Sequence, residues 1–333
     1  MANVALSASR DVTSGRPGNN PDVTVSVVIC AYTDERKELL DGSIEAVLDQ
    51  LGAEDQLVVV IDYNEQLLDR VVKQYGSRAK IGRNTHERGI CGARNSGVDA
   101  SDRLVVAFVD DDAQVQPGWL EGLRTHYRQP TVTGVGGYAQ PVWPTERPSW
   151  FPIEFDWVVG CSHKGLPVDL TPVRNLLGCN MSFRREALKS VGGFNPNIGQ
   201  VGTKLLRCDE TELCIRIGQS SPGGRLLLDP NITVRHWVSD DRTRPRYFLR
   251  RCFYEGLSKH LLSTMVGPSD ALSTERQYVL TVLPMALLHD VVAVISSPGK
   301  RLTALSQGAA LIIGLATTAF GYVYSFAHSR IRR

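Results

Sequence analysis

Three consecutive carboxylates, Asp110, Asp111 and Asp112, close the apolar run LVVAFVDDD at Leu104–Asp112. Three acids side by side repel one another unless positive charge sits among them. Hard divalent cations take oxygen ligands, and Mg²⁺ often joins a few carboxylates to phosphates. The triad therefore reads either as a metal–diphosphate site or as a solvated turn leading into Pro117-Gly118-Trp119. Other chemically able residues stand at comparable places. Asp62 follows LVVVI, the pair Asp209-Glu210 stands before an apolar segment, and His236 follows the run from Leu226 to Val234. A carboxylate pair can carry a proton or serve only the dipole at a helix start.

These residues need a scaffold, and the chain predicts one. Val23–Ala31, Leu57–Ile61, Lys80–Asn84 and Leu104–Asp112 read as strands. Glu38–Leu51 and Gln66–Tyr75 have helical apolar spacing, and the Gly-rich turn Gly89–Gly97 runs into a helix. Alternation of this kind implies an α/β fold with an open, mostly parallel sheet covered by helices on both faces. Ligands of such sheets bind beyond the C-terminal strand ends. Three of those ends are polar: Tyr32-Thr33-Asp34, Asp62-Tyr63-Asn64 and Asp110–Asp112. Neither GxGxxG after the first strand nor GxxxxGK[ST] is present, which disfavours a dinucleotide site and a P-loop. Further on, Trp119–His126 and Arg185–Val191 read as helices, and Val132–Tyr138, Gly178–Phe183 and Leu226–Val234 as strands.

Bulk properties exclude little. The formal net charge of +2 gives no argument for nucleic acid. Seven scattered cysteines without a CxxC pair fit neither a disulfide framework nor a zinc site, and suit a reducing compartment. Residues 1–22 are polar, and the expectation there is a disordered tail rather than a signal peptide. The segment 140–172 carries six prolines and five large aromatics, suited to sugar rings or to a satellite core. Arg242–His260 interleaves six basic residues with aromatics, which suits phosphate or an anionic membrane. Leu302–Ala327 is uncharged, flanked by Lys300-Arg301 and by Arg330, Arg332 and Arg333, and long enough to cross a bilayer. The expectation is a membrane-associated tail on the cytosolic face, peripheral or anchored, with a buried helical hairpin as the alternative.

In order and spacing, several of these pieces resemble the family 2 glycosyltransferases of the GT-A fold. They are VSVVICAY at Val25–Tyr32, VVVID at Val58–Asp62, GARNSG at Gly92–Gly97, FVDDD at Phe108–Asp112, GCNMSFRREAL at Gly178–Leu188, GGF at Gly192–Phe194 and DETELCIR at Asp209–Arg216. The resemblance covers Val25–His236. It implies an inverting transfer from a nucleotide-diphosphate sugar with a divalent metal, Mn²⁺ or Mg²⁺. It divides the chain into a transferase domain, 23–240, with a nucleotide half (23–126) and an acceptor half (127–240), and a basic-aromatic and apolar helical region, 241–333. The family's DXD motif falls on Asp110–Asp112. Asp112 would be the metal ligand, with Asp110 and Asp111 on metal, ribose or sugar, and His236 a third metal ligand or a structural residue. Cys30, Ala31, Tyr32 and Asp62 would hold the nucleotide, and Arg94 and Asn95 would lie beside the diphosphate. Asn180, with Met181, would line the sugar or acceptor pocket, and Trp237 its wall.

The family's catalytic base lies in a Glu-Asp pair six residues before a helical Arg. Here the order is reversed, and Arg216 comes six after Glu210, making Glu210 the candidate base and Asp209 the alternative. Tyr63 stands where the family often has a base-reading acid, which leaves the nucleotide base open. The acceptor implied is a hydroxyl on a lipid-linked or cell-envelope glycan precursor. Nucleotidyl transfer also places acids at a strand end, but it favours a Gly-rich, basic signature that VSVVICAYTDER lacks. A catalytically silent membrane scaffold would need neither Asp112 nor Glu210.

Overall fold

The computed structural model describes residues 23–199 and 206–331. The expected tail at 1–22 and the terminal Arg332 and Arg333 lie outside the described residues. The first half alternates as the apolar pattern requires: β1 (Val25–Ala31), α1 (Lys37–Leu48), β2 (Gln56–Ile61), α2 (Glu65–Tyr75), β3 (Lys80–Arg83), α3 (Ile90–Ala100) and β4 (Val105–Asp110). The strands β1 and β4 are apolar on both faces because helices cover both. On one face α1, α2 and α4 (Trp119–Tyr127) supply Leu40, Ile44, Leu67, Val71, Trp119 and Leu123. On the other, α3, α5 (Arg185–Ser190) and α6 (Asp209–Ser220) supply Ala93, Val98, Leu188, Leu213 and Ile217. At Gly97 a Cβ would lie 2.3 Å from Val28 Cγ1, so a side chain there would lift α3 off β1.

The other strands are β5 (Ala113–Val115), β6 (Val132–Val142), β7 (Thr171–Pro172), β8 (Asn180–Arg184) and β9 (Arg225–Trp237). The sheet runs β3-β2-β1-β4-β8-β6-β9-β5, with β7 also on β9. Pairing is parallel through β3-β2-β1-β4, as expected, and again between β6 and β9. It is antiparallel at β4–β8, β6–β8, β5–β9 and β7–β9, so the sheet as a whole is mixed rather than mostly parallel. The reversal comes from β8, which enters after the long 140–172 segment instead of through a crossover helix. Strand order turns at β1, and the register pairs Cys30 with Asp110 and Ala31 with Ile61. The polar strand ends therefore converge at the switch point where such sheets bind ligands.

Beyond β9 the chain is helical. The basic-aromatic stretch is α7 (Pro245–Val266), followed by the short α8 (Pro268–Ala271) and α9 (Ser273–Gln277), then α10 (Leu283–Ser296) and α11 (Arg301–Ile331). Helices α7 and α11 cross in backbone contact. A Cβ on Gly256 would lie 2.0 Å from the Thr318 carbonyl, and one on Gly321 would lie 2.2 Å from that of Phe253. Small residues at such a crossing are what close helix packing requires. The aromatics of 140–172 form a core with these helices: Phe151, Phe155 and Val158 pack with Phe248, Leu283 and Leu311. Outward, α10 and α11 leave Met285, Leu288, Ile295, Leu302, Ile312 and Phe320 exposed. Both Ser273–Ser296 and Pro298–Ser329 are long and apolar enough to cross a membrane.

Candidate active site

A cavity of about 1330 Å³ opens at the switch point and brings distant parts of the sequence together. Cys30, Ala31 and Tyr32 line it from the end of β1, Asp62 from β2, Arg94 from α3 and Asp110–Asp112 from the end of β4. His236 comes from β9, and Asp209 and Glu210 from the start of α6. The segments that hold the rim are strained. Tyr63 and Cys208 are non-glycine residues with left-handed backbones, φ 52° and 76°. Such conformations cost free energy and cluster at functional sites.

The acid triad divides into differently held carboxylates. Asp112 lies 2.6 Å from Arg36 Nη1 and 3.7 Å from Arg242 Nη2, and its Oδ1 is 3.3 Å from His236 Nε2. Burial opposes its charge, yet His236, Arg242 and Arg36 hold its carboxyl well below the usual range. Burial likewise disfavours a charged His236, but the adjoining Asp112 carboxylate pushes its pKa up to about 10. Asp111 is the opposite case. Burial, with Asp112 and Asp110 alongside, pushes it up to about 8 against the pull of Arg36. Its Oδ2 is buried and accepts no hydrogen bond, although Arg36 Nη2 is 3.0 Å away. Asp110 is held from the far side by Arg94, Nη2 to Oδ1, at 3.2 Å.

This donor set fits a divalent cation. One ligand atom each from Asp110, Cys179 and His236 lie within 4.8 Å of one another, and Asp112 Oδ1 adjoins the same imidazole. Carboxylate oxygens suit Mn²⁺ or Mg²⁺, an imidazole suits a transition ion better than Mg²⁺, and the Cys179 thiol is a softer donor still. Burial raises that thiol well above its ordinary pKa, which keeps it protonated.

Arg94, which holds Asp110, also reaches one member of the carboxylate pair. Its guanidinium is buried and donates from Nη1 to Asp209 Oδ2 at 2.7 Å. Asp209 is thereby committed to an ion pair. Among the described residues Glu210 has no ion-pair partner where it lines the cavity, and burial, then the neighbouring Asp209, pushes its pKa up to about 7. Arg216, the expected register mark, turns away to Glu212 and to the carbonyls of Val191 and Gly193.

The nucleotide side is built from β1 and β2. Asp62 is fixed by Asn84 Nδ2 at 2.7 Å and by the Gly89 amide at 3.0 Å, which ties the β2 end to the start of α3. Tyr32 is 54% exposed at the rim, with Arg36 over its ring. Tyr63 is also exposed and donates its hydroxyl to the His86 carbonyl.

Several residues expected in the site stand outside it. Asn180 is buried inside the sheet, where it accepts from Trp119 Nε1 and donates to the carbonyls of Tyr138 and Ile232. Its polar atoms are used in joining β6, β8 and β9, leaving none for a sugar. Met181 packs in the core beside it. Asn95 exchanges two hydrogen bonds with the Phe194 backbone and fixes the GGF turn. Trp237 lies against Arg235 rather than in the cavity wall.

Conversely, Arg36 had no sequence signal, since a lone Arg in YTDER resembles any surface residue. Arg242 belonged to the basic stretch read as facing phosphate or membrane, but it turns inward to Asp112. Cys161 meets the far face of His236, Sγ to Nδ1 at 3.6 Å.

Comparison with known proteins identifies the family and the fold. The sequence profile described as glycosyl transferase family 2 matches residues 26–192. A glucosyl-dolichyl phosphate glucuronosyltransferase of Haloferax volcanii is 33% identical over 303 residues, spanning 90% of this chain and 95% of that protein. A pre-mycofactocin glycosyltransferase of Mycobacterium tuberculosis is 29% identical over 51% of this chain and 34% of its own. Among solved structures, the mannosyltransferase PcManGT of Pyrobaculum calidifontis, in complex with GDP-Man and Mn²⁺, superposes with a TM-score of 0.52 at 18% identity over 88% of this chain and 86% of its own. GalNAc-T7 with UDP, GalNAc and Mn²⁺ gives 0.51 at 16%, over 77% and 53%. These two share the fold. The chain belongs to glycosyl transferase family 2 and is a glycosyltransferase of the GT-A fold.

Proposed function

We propose that the chain moves one sugar from a nucleotide-diphosphate donor to a hydroxyl of a lipid-linked glycan precursor, with inversion at the anomeric carbon. The observation that carries this reading is a single cavity. It holds Asp110–Asp112 with His236 on one wall and Glu210 on another, and apolar helices wall its outer part. Residues 23–126 form the donor half of the transferase domain, 127–240 the acceptor half, and 241–333 the helical region toward the membrane. Cys30, Ala31, Tyr32 and Asp62 hold the nucleoside, with the Tyr32 ring stacking on the base.

Asp112, Asp110 and His236 would hold a divalent cation, which when bound would supply Lewis-acid stabilisation of the departing nucleoside diphosphate. Arg94 orients Asp110 toward the donor and keeps Asp209 occupied, which leaves Glu210 to act as base. Glu210 takes the acceptor hydroxyl's proton as that oxygen bonds to the anomeric carbon. The bond from that carbon to the diphosphate oxygen breaks on the opposite face.

The acceptor class is supported by the Haloferax relative, a glucosyl-dolichyl phosphate glucuronosyltransferase, and by the exposed apolar faces of α10 and α11. Those faces support a seat on a membrane, with the polar catalytic domain on the cytosolic side, where nucleotide sugars are made. The test is product formation from a panel of nucleotide sugars, uronic acid donors first, with Mn²⁺ and a polyprenyl-phosphate glycoside. Absence of any metal-dependent sugar addition across the panel would refute the proposal.

A further inference from the structure

The outer part of the cavity holds a charge imbalance that the transfer chemistry does not use. Arg174, Arg207, Arg251 and Lys259 line it against two carboxylates, Glu255 and Glu275. Arg174 Nη1 meets Glu275 at 2.8 Å, Lys259 Nζ meets Glu275 at 2.6 Å and Glu255 at 3.3 Å, and Arg251 Nη1 meets Glu255 at 2.9 Å. Among the described residues Arg207 has no ion-pair partner, and its buried Nε has no hydrogen-bond acceptor. Four cations against two carboxylates leave an excess of two positive charges in a largely enclosed place. Uncompensated buried charge is costly unless an anion answers it.

The cluster lies close to the proposed chemistry. The Arg207 amide donates to Ser258 Oγ at 3.0 Å, and Cys208 Sγ is 3.8 Å from Glu255 Oε1, so the cluster adjoins the start of α6. Arg207 is three residues from Glu210. On its other side the wall becomes apolar, through Val279, Val282 and Leu283 and then Leu315 of α11. Leu283 and Leu315 belong to the helices that leave apolar faces exposed, α10 and α11.

We propose that this cluster is the seat of the phosphate or diphosphate ester of the lipid-linked acceptor. Arg207, Arg251 and Lys259 contact its oxygens, and the isoprenoid chain leaves along Val282, Leu283 and Leu315. This rests on the transfer reading above and names the acceptor's recognised group. Guanidinium forks match phosphate oxygens, and the excess positive charge answers the single negative charge of a phosphodiester or the two of a diphosphate diester. The apolar continuation separates a lipid ester from free phosphate. The seat also sets reach, because a phosphate held there places the first sugar of the acceptor toward Glu210.

The experiment measures binding of farnesyl monophosphate, farnesol and inorganic phosphate to the full chain in detergent by calorimetry, with wild type and Arg207→Gln. Replacing Arg207 strands no buried carboxylate, and an unchanged melting temperature verifies the fold. The expected result is that wild type binds farnesyl monophosphate at least tenfold more tightly than either other probe. Arg207→Gln loses about tenfold of that preference, the order of one charge-assisted hydrogen bond. Equal binding of farnesol and farnesyl monophosphate by wild type overturns the proposal without any variant. So does inorganic phosphate binding as tightly as the lipid ester, or full preference retained in Arg207→Gln. Transfer to an uncharged lipid glycoside with an unchanged KM overturns this site alone. Phosphate preference without sugar transfer upholds this site and overturns the transfer reading.

Discussion

Replacing Glu210 by glutamine keeps the shape of the side chain and removes its basicity. In the wild type, burial and the Asp209 carboxylate push the Glu210 pKa up to about 7. The working form of a base is the deprotonated one. For a group titrating near 7, that form is about a tenth of the population at pH 6 and about nine-tenths at pH 8, so the rate should rise about tenfold between them. The sign follows from the raised pKa: activity is lost as pH falls through about 7, well above the ordinary carboxylate range. A positioned base contributes about 10² to 10⁴ in rate. Glu210→Gln should therefore lose about that much kcat, leave the donor KM nearly unchanged and flatten the acid limb of the profile. The assay is initial-rate transfer at saturating metal from pH 5.5 to 8.5. A variant that keeps the wild-type acid limb, or loses less than about tenfold in kcat, would refute the assignment. Asp209→Asn separates the alternatives. Arg94 occupies Asp209, so this variant should disturb Arg94 and lower stability while keeping an acid limb.

Other outcomes follow from the same contacts. Asp112→Ala should abolish metal-dependent turnover, and chelation of the wild type should do the same until Mn²⁺ is restored, both read as product formed. Asn180→Ala should cost about 2–4 kcal/mol of stability, because three buried partners lose their hydrogen bonds, while the donor KM stays unchanged. Denaturant unfolding with donor kinetics checks it, and a raised KM at unaltered stability would contradict the structural role. Gly256→Val should separate α7 from α11, since its Cβ would meet the Thr318 carbonyl, and lower the melting temperature measured in detergent. Leu288→Asp with Ile295→Asp should release the chain from liposomes in a flotation assay, as both side chains are exposed on α10.

The parallel half of the sheet was legible because its strands are continuous apolar runs that end in polar residues, and the helices between them keep a 3.6-residue period. That pattern placed Asp62 and Asp110–Asp112 at one edge. The antiparallel entry of β8 was not legible, since strand direction after a long irregular segment depends on how that segment packs. Asn180 illustrates a limit of motif reading: the matching motif implies a residue of the sugar or acceptor pocket, but its partners are Trp119 and two strand carbonyls. Arg36 and Arg242 escaped for the opposite reason. Nothing local distinguishes an Arg that reaches a carboxylate 70 or more residues away from one in solvent, and only the fold brings both to Asp112. The aromatics of 140–172 are core for the C-terminal helices, the plainer of the two readings the sequence offered.

The most direct measurement is the anomeric configuration of the product, read by proton NMR after transfer from an α-linked nucleotide sugar to a polyprenyl-phosphate glycoside in the presence of Mn²⁺. The expected product carries one added sugar in β linkage, formed by wild type and absent with Glu210→Gln or after chelation. An α-linked product, or undiminished transfer by Glu210→Gln, would contradict a single displacement with Glu210 as its base.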